Sequence, residues 1–305
     1  MKVLLTGATG FIGARVLRVL EERGHEVAAL VTPGHSLKRL EGHARLRKIE
    51  GALESIESAR AGIEAFAPEG CVHLAWYAEP GKYLPSPRNL DCLAGSIALL
   101  RLLERVGCRR VVAAGTCFEY APQAALMRED GPTKPETLYA ACKLSLGLIG
   151  QQMAALGDYT FAFGRVFYLY GPGEDPSRVI PAVARAMLAG KDFDASAGTQ
   201  LRDYLHVDDV ARGFAVLLER ATTGTYNIAS ARPVPIAEIM TMVRQHAGTG
   251  AKINFGAVPP RAYDPPSIGG DNARLKALGW NPEVTLEQGL ARVLDEMRAQ
   301  AAVNP

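Results

Sequence analysis

Cysteine is scarce in this chain and poorly spaced for bonding. Cys71, Cys92, Cys108, Cys117 and Cys142 make an odd number with no C-x-x-C pair, which argues against a disulfide framework or a zinc-finger spacing. The six histidines are scattered with no H-x-x-x-H, so no metal site is expected. There is no run of 18 apolar residues, the length a membrane-crossing helix needs. The start, Met-Lys-Val-Leu-Leu-Thr-Gly, turns glycine-rich by Gly7, too early for the apolar centre of a secretory signal. An excess of charge of one sign is missing too. The 34 Lys+Arg and 32 Asp+Glu leave a net charge of +2, which argues against nucleic-acid or membrane-surface binding driven by bulk electrostatics. Glycine and proline (31 and 19) are too few for a disordered chain. What remains is 305 residues, 48% hydrophobic and 22% charged, enough for about two domains and a sizeable core. The expectation is a soluble, reduced, cytoplasmic protein.

The first half alternates short apolar runs with helical stretches. Val3–Leu5, His25–Val31, Leu46–Ile49, Cys71–Ala75, Arg110–Ala114 and Tyr159–Phe163 read as strands. Between them, Phe11–Arg23, Asn89–Val106 and Pro135–Leu156 carry helical spacing. Strand, helix, strand at this interval predicts βαβ units, hence an α/β fold with a doubly wound parallel sheet. The strands are apolar almost throughout, as a sheet covered on both faces requires. After Gly164 the alternation fades, and Pro172, Pro176 and Pro181 read as breaks. Helices are expected at Val207–Glu219 and Ile236–His246, a strand at Thr225–Ile228, and two further helices in the last forty residues. The expected division is a dinucleotide-binding domain of residues 1–167 with 203–230, and a smaller substrate-binding region of 168–202 with 231–305.

Gly7-Ala-Thr-Gly-Phe-Ile-Gly13 follows the first strand directly and opens a helix. Glycines there let the backbone turn sharply and approach a pyrophosphate, while the helix N-terminus offers free N–H donors and partial positive charge. The strand-before, helix-after context separates this loop from an ordinary tight turn. At the end of the second strand stand Val31 and Thr32, where an Asp or Glu would grip a ribose 2′-hydroxyl. With no carboxylate to repel a 2′-phosphate, and with Lys38 and Arg39 close by, the cofactor leans towards NADP over NAD. A solvated helix face is the plain alternative for those two cations.

Tyr139 and Lys143 stand at i and i+4, on one face of a helix with Cβ atoms about 5–6 Å apart. A neighbouring ammonium favours the phenolate, which suits tyrosine for acid–base work near neutral pH. The competing reading is a tyrosine packed on a lysine stem. Thr116 lies just past the fifth strand, at the edge where ligands sit in doubly wound sheets. Its hydroxyl suits either a substrate oxygen or a strand-end cap.

Taken together, the sequence resembles an extended short-chain dehydrogenase/reductase, of the NAD(P)-dependent epimerase/dehydratase family acting on nucleotide sugars. The matching stretches are Thr6–Gly13, His73-Leu-Ala75, Gly115-Thr116, Tyr139-x-x-x-Lys143, Arg165–Gly173, Gly198–Tyr204, Val207–Val210, Tyr226–Ser230 and Leu278-Gly-Trp280. The resemblance implies Thr116, Tyr139 and Lys143 as a catalytic triad. It implies that Gly7, Thr9, Gly10, Phe11, Ile12, Gly13, Thr32, Lys38, Leu53, Leu74 and Ala75, with Tyr139 and Lys143, contact the cofactor. Arg202 and Arg261 are implied to face the nucleotide or its diphosphate. Trp76, Tyr77, Cys117 and Tyr168 are expected on the substrate side, the two aromatics of the loop after the fourth strand as stacking faces. A homodimer through the two long helices is also implied, with a nucleotide-sugar substrate and neither nucleic acid nor membrane as partner.

The departures bear on the reaction. Family 4,6-dehydratases carry an Asp-Glu pair right after the threonine, where Cys117 and Phe118 stand here. The family asparagine of the Arg-x-x-Asn segment is Tyr168, and the Asp after the third strand is Ala52. One carbonyl reduction needs only the triad. The expectation is therefore NAD(P)H-dependent reduction of a 4-keto-6-deoxy nucleotide sugar, a deoxysugar-pathway oxidoreductase. The alternatives are a nucleotide-sugar 4-epimerase and, in another class, a non-catalytic dinucleotide sensor.

Overall fold

The computed structural model describes residues 1–259 and 264–303. Six strands follow the apolar runs: β1 (Lys2–Thr6), β2 (Glu26–Val31), β3 (Arg47–Glu50), β4 (Gly70–His73), β5 (Arg110–Thr116) and β6 (Thr160–Val166). Short strands follow at β7 (Tyr168–Tyr170), β8 (Phe193–Ala195), β9 (Leu201–Arg202) and β10 (Tyr204–His206), and then β11 (Gly224–Ile228) rejoins the main sheet. The last pieces are β12 (Val234–Pro235), β13 (Ile253–Phe255) and β14 (Ser267–Ile268). The helices are α1 (Phe11–Glu22), α2 (Arg60–Phe66), α3 (Arg88–Arg105), α4 (Leu138–Leu156), α5 (Val179–Leu188), α6 (Val207–Arg220), α7 (Ile236–Ala247), α8 (Ala273–Ala277) and α9 (Leu286–Val303).

The seven-stranded sheet has the order β11-β6-β5-β4-β1-β2-β3, and every neighbour pair in it is parallel. This is the doubly wound sheet that the sequence implies. Its strands are buried on both faces: Val3, Leu5 and Val72 belong to the cluster under α1 and α6, Leu4, Cys71 and Val111 to the one under α3 and α4. A third cluster, built by α5, α7 and α9 around Ile180, Met240 and Leu290, lies outside these two layers. The C-terminal part also returns to the first layer, where Leu275 and Trp280 are buried.

Three local differences from the expectation have physical causes. Pro181 does not break the chain, because it falls in the first turn of α5, where its missing N–H costs nothing. The helix expected from Pro135 starts at Leu138, because Thr137 caps it through a hydrogen bond from the Ala140 amide, 3.2 Å. That cap puts Tyr139 in the first turn of α4. Strand β5 runs on through Thr116, paired with Val166, so the threonine is the last residue of the strand rather than one just beyond it.

Candidate active site

The C-terminal ends of β1, β4 and β5 meet at one edge of the sheet, with Thr6 opposite His73 and His73 opposite Ala113. Gly7 turns out of β1 with φ +74°, a left-handed conformation that favours glycine. A Cβ at Gly7 would lie 2.7 Å from the Ala75 amide nitrogen, and one at Gly13 would lie 2.0 Å from the Gly7 carbonyl oxygen. Both glycines are therefore dictated by backbone meeting backbone. Helix α1 follows Gly10 with no side chain capping its amides, and no acid stands in its first turn. Free donors and an uncompensated dipole suit an anionic pyrophosphate, so these residues fit a dinucleotide.

Leu74 and Ala75 are held beside this loop by a buried relay. The amides of Leu74 and Ala75 donate to Thr6 Oγ1 at 3.2 and 3.1 Å, and Thr6 Oγ1 lies 2.7 Å from His73 Nδ1. His73 Nε2 lies 2.8 Å from Ser96 Oγ, which itself donates to the Cys92 carbonyl at 2.6 Å. Since the Ser96 proton is committed, His73 donates from Nε2 and accepts at Nδ1 from the Thr6 hydroxyl. Every group is satisfied only by a neutral imidazole. Burial, followed by the charge of Lys143, pushes His73 down to about 3.

At the corner where the ribose is expected, Thr32 is half-buried and Lys38 is exposed. Arg39, next to Lys38, is the cation that reaches across: it donates to the Gly173 carbonyl at 2.8 Å and to that of Thr9 at 3.4 Å. Phe11 and Ile12 are half-buried at the start of α1, and Leu53 is buried under the opposite layer.

Thr116, Tyr139 and Lys143 come together. The Thr116 side chain lies close enough to the Tyr139 phenol to favour its charged form. Lys143 is buried behind them and donates from Nζ to the Ala114 carbonyl at 2.9 Å. Burial pulls Lys143 down to about 7, opposed by the charge of Glu119. The sequence argument expected the lysine to lower the phenol. Instead the phenol is raised, first by burial and then by Tyr83 and Glu119, with the Thr116 hydrogen bond working the other way. Desolvation of the ring wins because the ammonium sits 6.0 Å from its centroid.

Glu119 is the site residue that the sequence reading missed. Its Oε1 accepts the Thr116 amide at 2.7 Å and its Oε2 accepts Arg165 Nε at 2.6 Å. Both partners of this ion pair are buried, Glu119 completely. The signal was present as Thr116-x-x-Glu119, a capping box, and the structure contains that box.

Among the residues expected on the substrate side the picture is mixed. Tyr168 stacks edge-on to Phe118 and lies 5.5 Å below the guanidinium of Arg202. Arg202 is fully buried and forms an ion pair with Asp264, which also accepts from Gln200 at 3.0 Å. Cys117 is buried with its thiol pushed up to about 12 by desolvation, and it packs with Tyr120, Met127 and Phe167. Tyr77 does not converge on the others: its hydroxyl donates to Glu79 at 2.9 Å and Arg88 lies over its ring at 4.3 Å. Trp76 points the other way, towards Lys143 and Tyr139. Arg261 lies outside the described residues. Among the described residues no group of histidine, cysteine or carboxylate side chains is arranged to hold a metal, and no helix is long and apolar enough to cross a membrane.

Residues 3–229 match the model of the NAD dependent epimerase/dehydratase family. A UDP-glucose 4-epimerase of Corynebacterium glutamicum is 29% identical over 313 residues, covering 93% of this chain and 92% of its own length. The solved structure of MoeE5 in complex with UDP-glucose and NAD is 29% identical, with a TM-score of 0.84 and coverage of 99% and 100%. The structure of UDP-glucose 4-epimerase from Thermotoga maritima with UDP-glucose has a TM-score of 0.89 at 24% identity, over 99% of this chain and 100% of that one, which shows a common fold.

Proposed function

Since the chain belongs to the NAD dependent epimerase/dehydratase family, we propose that it inverts the configuration at C4 of a UDP-hexose with a nicotinamide dinucleotide held throughout the cycle. The observation that carries this reading is the convergence of the Thr116 and Tyr139 hydroxyls, with Lys143 buried behind them. The net 4-keto reduction expected from the sequence uses the same side chains. The similarity to 4-epimerases over nearly the whole chain favours inversion instead, an isomerase activity.

Amides of the Gly7–Gly13 loop and the α1 N-terminus would hold the pyrophosphate. When bound, the dinucleotide supplies a hydride acceptor that carries a positive charge. Tyr139 takes the proton from the sugar O4 and later returns it, while Thr116 holds that oxygen. Burial keeps the Tyr139 phenol protonated on its own, so it becomes a base only when positive charge, from Lys143 and the ring, gathers beside it. Arg202, set by Asp264, offers its guanidinium to the diphosphate. The neighbour's bound NAD supports NAD, while Thr32 in place of an acid leaves space for the 2′-phosphate of NADP. A homodimer through α3 and α4 belongs to the same reading, supported by exposed Leu90, Leu148 and Leu156 on those helices.

The test is incubation with UDP-glucose, UDP-galactose and UDP-glucuronate, followed by NMR of the sugar. Expected is C4 inversion without net consumption of added NADH or NADPH. Tyr139→Phe should slow it about 10²–10⁴-fold, the range for a positioned acid–base group. Stoichiometric reduction of a 4-keto sugar, with no inversion of any UDP-hexose, would return the reading to a reductase.

A further inference from the structure

The loop after β4 is built around the catalytic pair, and one of its side chains has no counterpart in the triad. The Trp76 ring face lies 3.9 Å from Lys143 Nζ. It meets the Tyr139 ring in a T-shaped pair, with centroids 6.4 Å apart at 81°. The indole is fixed at its far end, where Nε1 donates to Asn89 Oδ1 at 2.8 Å. Asn89 is completely buried and cannot turn, because its amide nitrogen donates to the carbonyls of Tyr83 and Ser86 at 2.7 and 2.8 Å. The same loop is tied to α4 by the Tyr139 amide, which donates to the Leu84 carbonyl at 3.1 Å. Tyr83 adds its ring against Tyr139, centroids 4.8 Å apart at 89°.

We propose that Trp76 is a positioning residue of the catalytic pair: locked by Asn89, its ring face keeps the Lys143 ammonium seated against β5 and its T-shaped contact braces the Tyr139 ring. This rests on the proposed reading that Lys143 works as an ammonium beside Tyr139. A lysine ammonium has three protons to place. One goes to the Ala114 carbonyl, and one side is covered by the indole face. An aromatic face attracts a cation most strongly where water is excluded, and Lys143 is such a site. The other charged or titratable groups around it are Glu119 from the turn after β5, His73 on β4, Cys92 on α3 and Tyr139 on α4. Of these, Glu119 and then Cys92 favour the ammonium, and burial opposes it. Trp76 adds a third group on the side of the charged form, and its ring also meets the phenol ring.

The experiment titrates Lys143 directly. The 15Nζ resonance of Lys143, assigned by its loss in Lys143→Arg, is followed against pH in the protein with no substrate added. In Trp76→Leu the midpoint should fall by about 1.5 pH units, the size of a desolvated cation–π contact of about 2 kcal/mol. Trp76→Phe keeps a ring face and should stay within about 0.3 unit. Biosynthetic replacement of tryptophan by its tetrafluoro analogue withdraws electrons from the face with little change of shape, and should give a fall in the same direction if Trp76→Leu does not fold. Turnover by Trp76→Leu should drop about 10-fold, with the basic limb of the kcat profile shifted down. An unmoved Lys143 midpoint in folded Trp76→Leu or in the fluorinated protein overturns the proposal, whatever happens to turnover. If the midpoint moves but wild type inverts no sugar, it is the functional reading that fails and the Trp76 assignment that stands.

Discussion

Replacing Glu119 by Gln should cost this protein about 3 kcal/mol or more, although the change is a single atom type at an uncut side chain. Glu119 Oε2 accepts Arg165 Nε at 2.6 Å, with Glu119 wholly buried and Arg165 nearly so. Gln would keep an oxygen for the Thr116 amide, now 2.7 Å from Oε1. It would then turn an N–H towards the Arg165 N–H, donor against donor. The guanidinium would be left as a buried charge with one of its nitrogens, Nη1, already lacking a partner. The Tyr120 ring, 4.3 Å from the guanidinium carbon, offsets only part of that. Losing one partner of a buried pair costs about 3–5 kcal/mol, and at about 2–4 °C per kcal/mol Tm should fall by about 6–20 °C. A further effect follows at the site. The Glu119 charge supports the Lys143 ammonium, which stands at about 7, so its removal moves that midpoint lower and activity at pH 7 falls further than folding accounts for. The assays are urea unfolding and turnover between pH 6 and 9, on Glu119→Gln and on the double variant Glu119→Gln/Arg165→Met. Removing both charges should recover most of the lost stability but not the lost turnover. A single variant within about 0.5 kcal/mol of wild type would refute the reasoning, since the pair would then not be ionised in the fold.

Two other outcomes are expected. Gly13→Ala should damage the dinucleotide loop more than Gly10→Ala, because the added methyl would stand 2.0 Å from the Gly7 carbonyl oxygen in one case and 3.1 Å in the other. Calorimetric NAD affinity should drop at least about 10-fold for the first and less for the second, and the opposite ranking would mean that the loop yields. Stability should decline in acid through His73, whose folded value of about 3 lies below its ordinary 6.5. The unfolded chain then binds the extra proton, so stability is full above about 6.5 and is lost as pH falls towards 3, at about 1.4 kcal/mol per unit. Urea midpoints of wild type and His73→Asn between pH 6.5 and 4 check this, and identical slopes would contradict it.

Much of this molecule was legible in the chain itself. A parallel sheet follows from apolar runs that do not alternate, since a strand covered on both faces has no side left for polar residues. The Gly7–Gly13 loop and the Tyr139-x-x-x-Lys143 pair were equally visible, because each is a local pattern whose geometry is settled by one turn of backbone. The features that came from the tertiary structure join residues far apart in sequence. Glu119 meets Arg165 across two strands, Arg202 meets Asp264, and Trp76 reaches both Asn89 and Lys143. No spacing rule marks such pairs, since strand order alone decides which turns share an edge. Even the direction in which Tyr139 titrates was set this way. Local sequence places an ammonium one helical turn from it and argues for a lower value. The fold then buries the phenol beneath Tyr83 and Trp76, and loss of water around a charge outweighs an ammonium held 6.0 Å away.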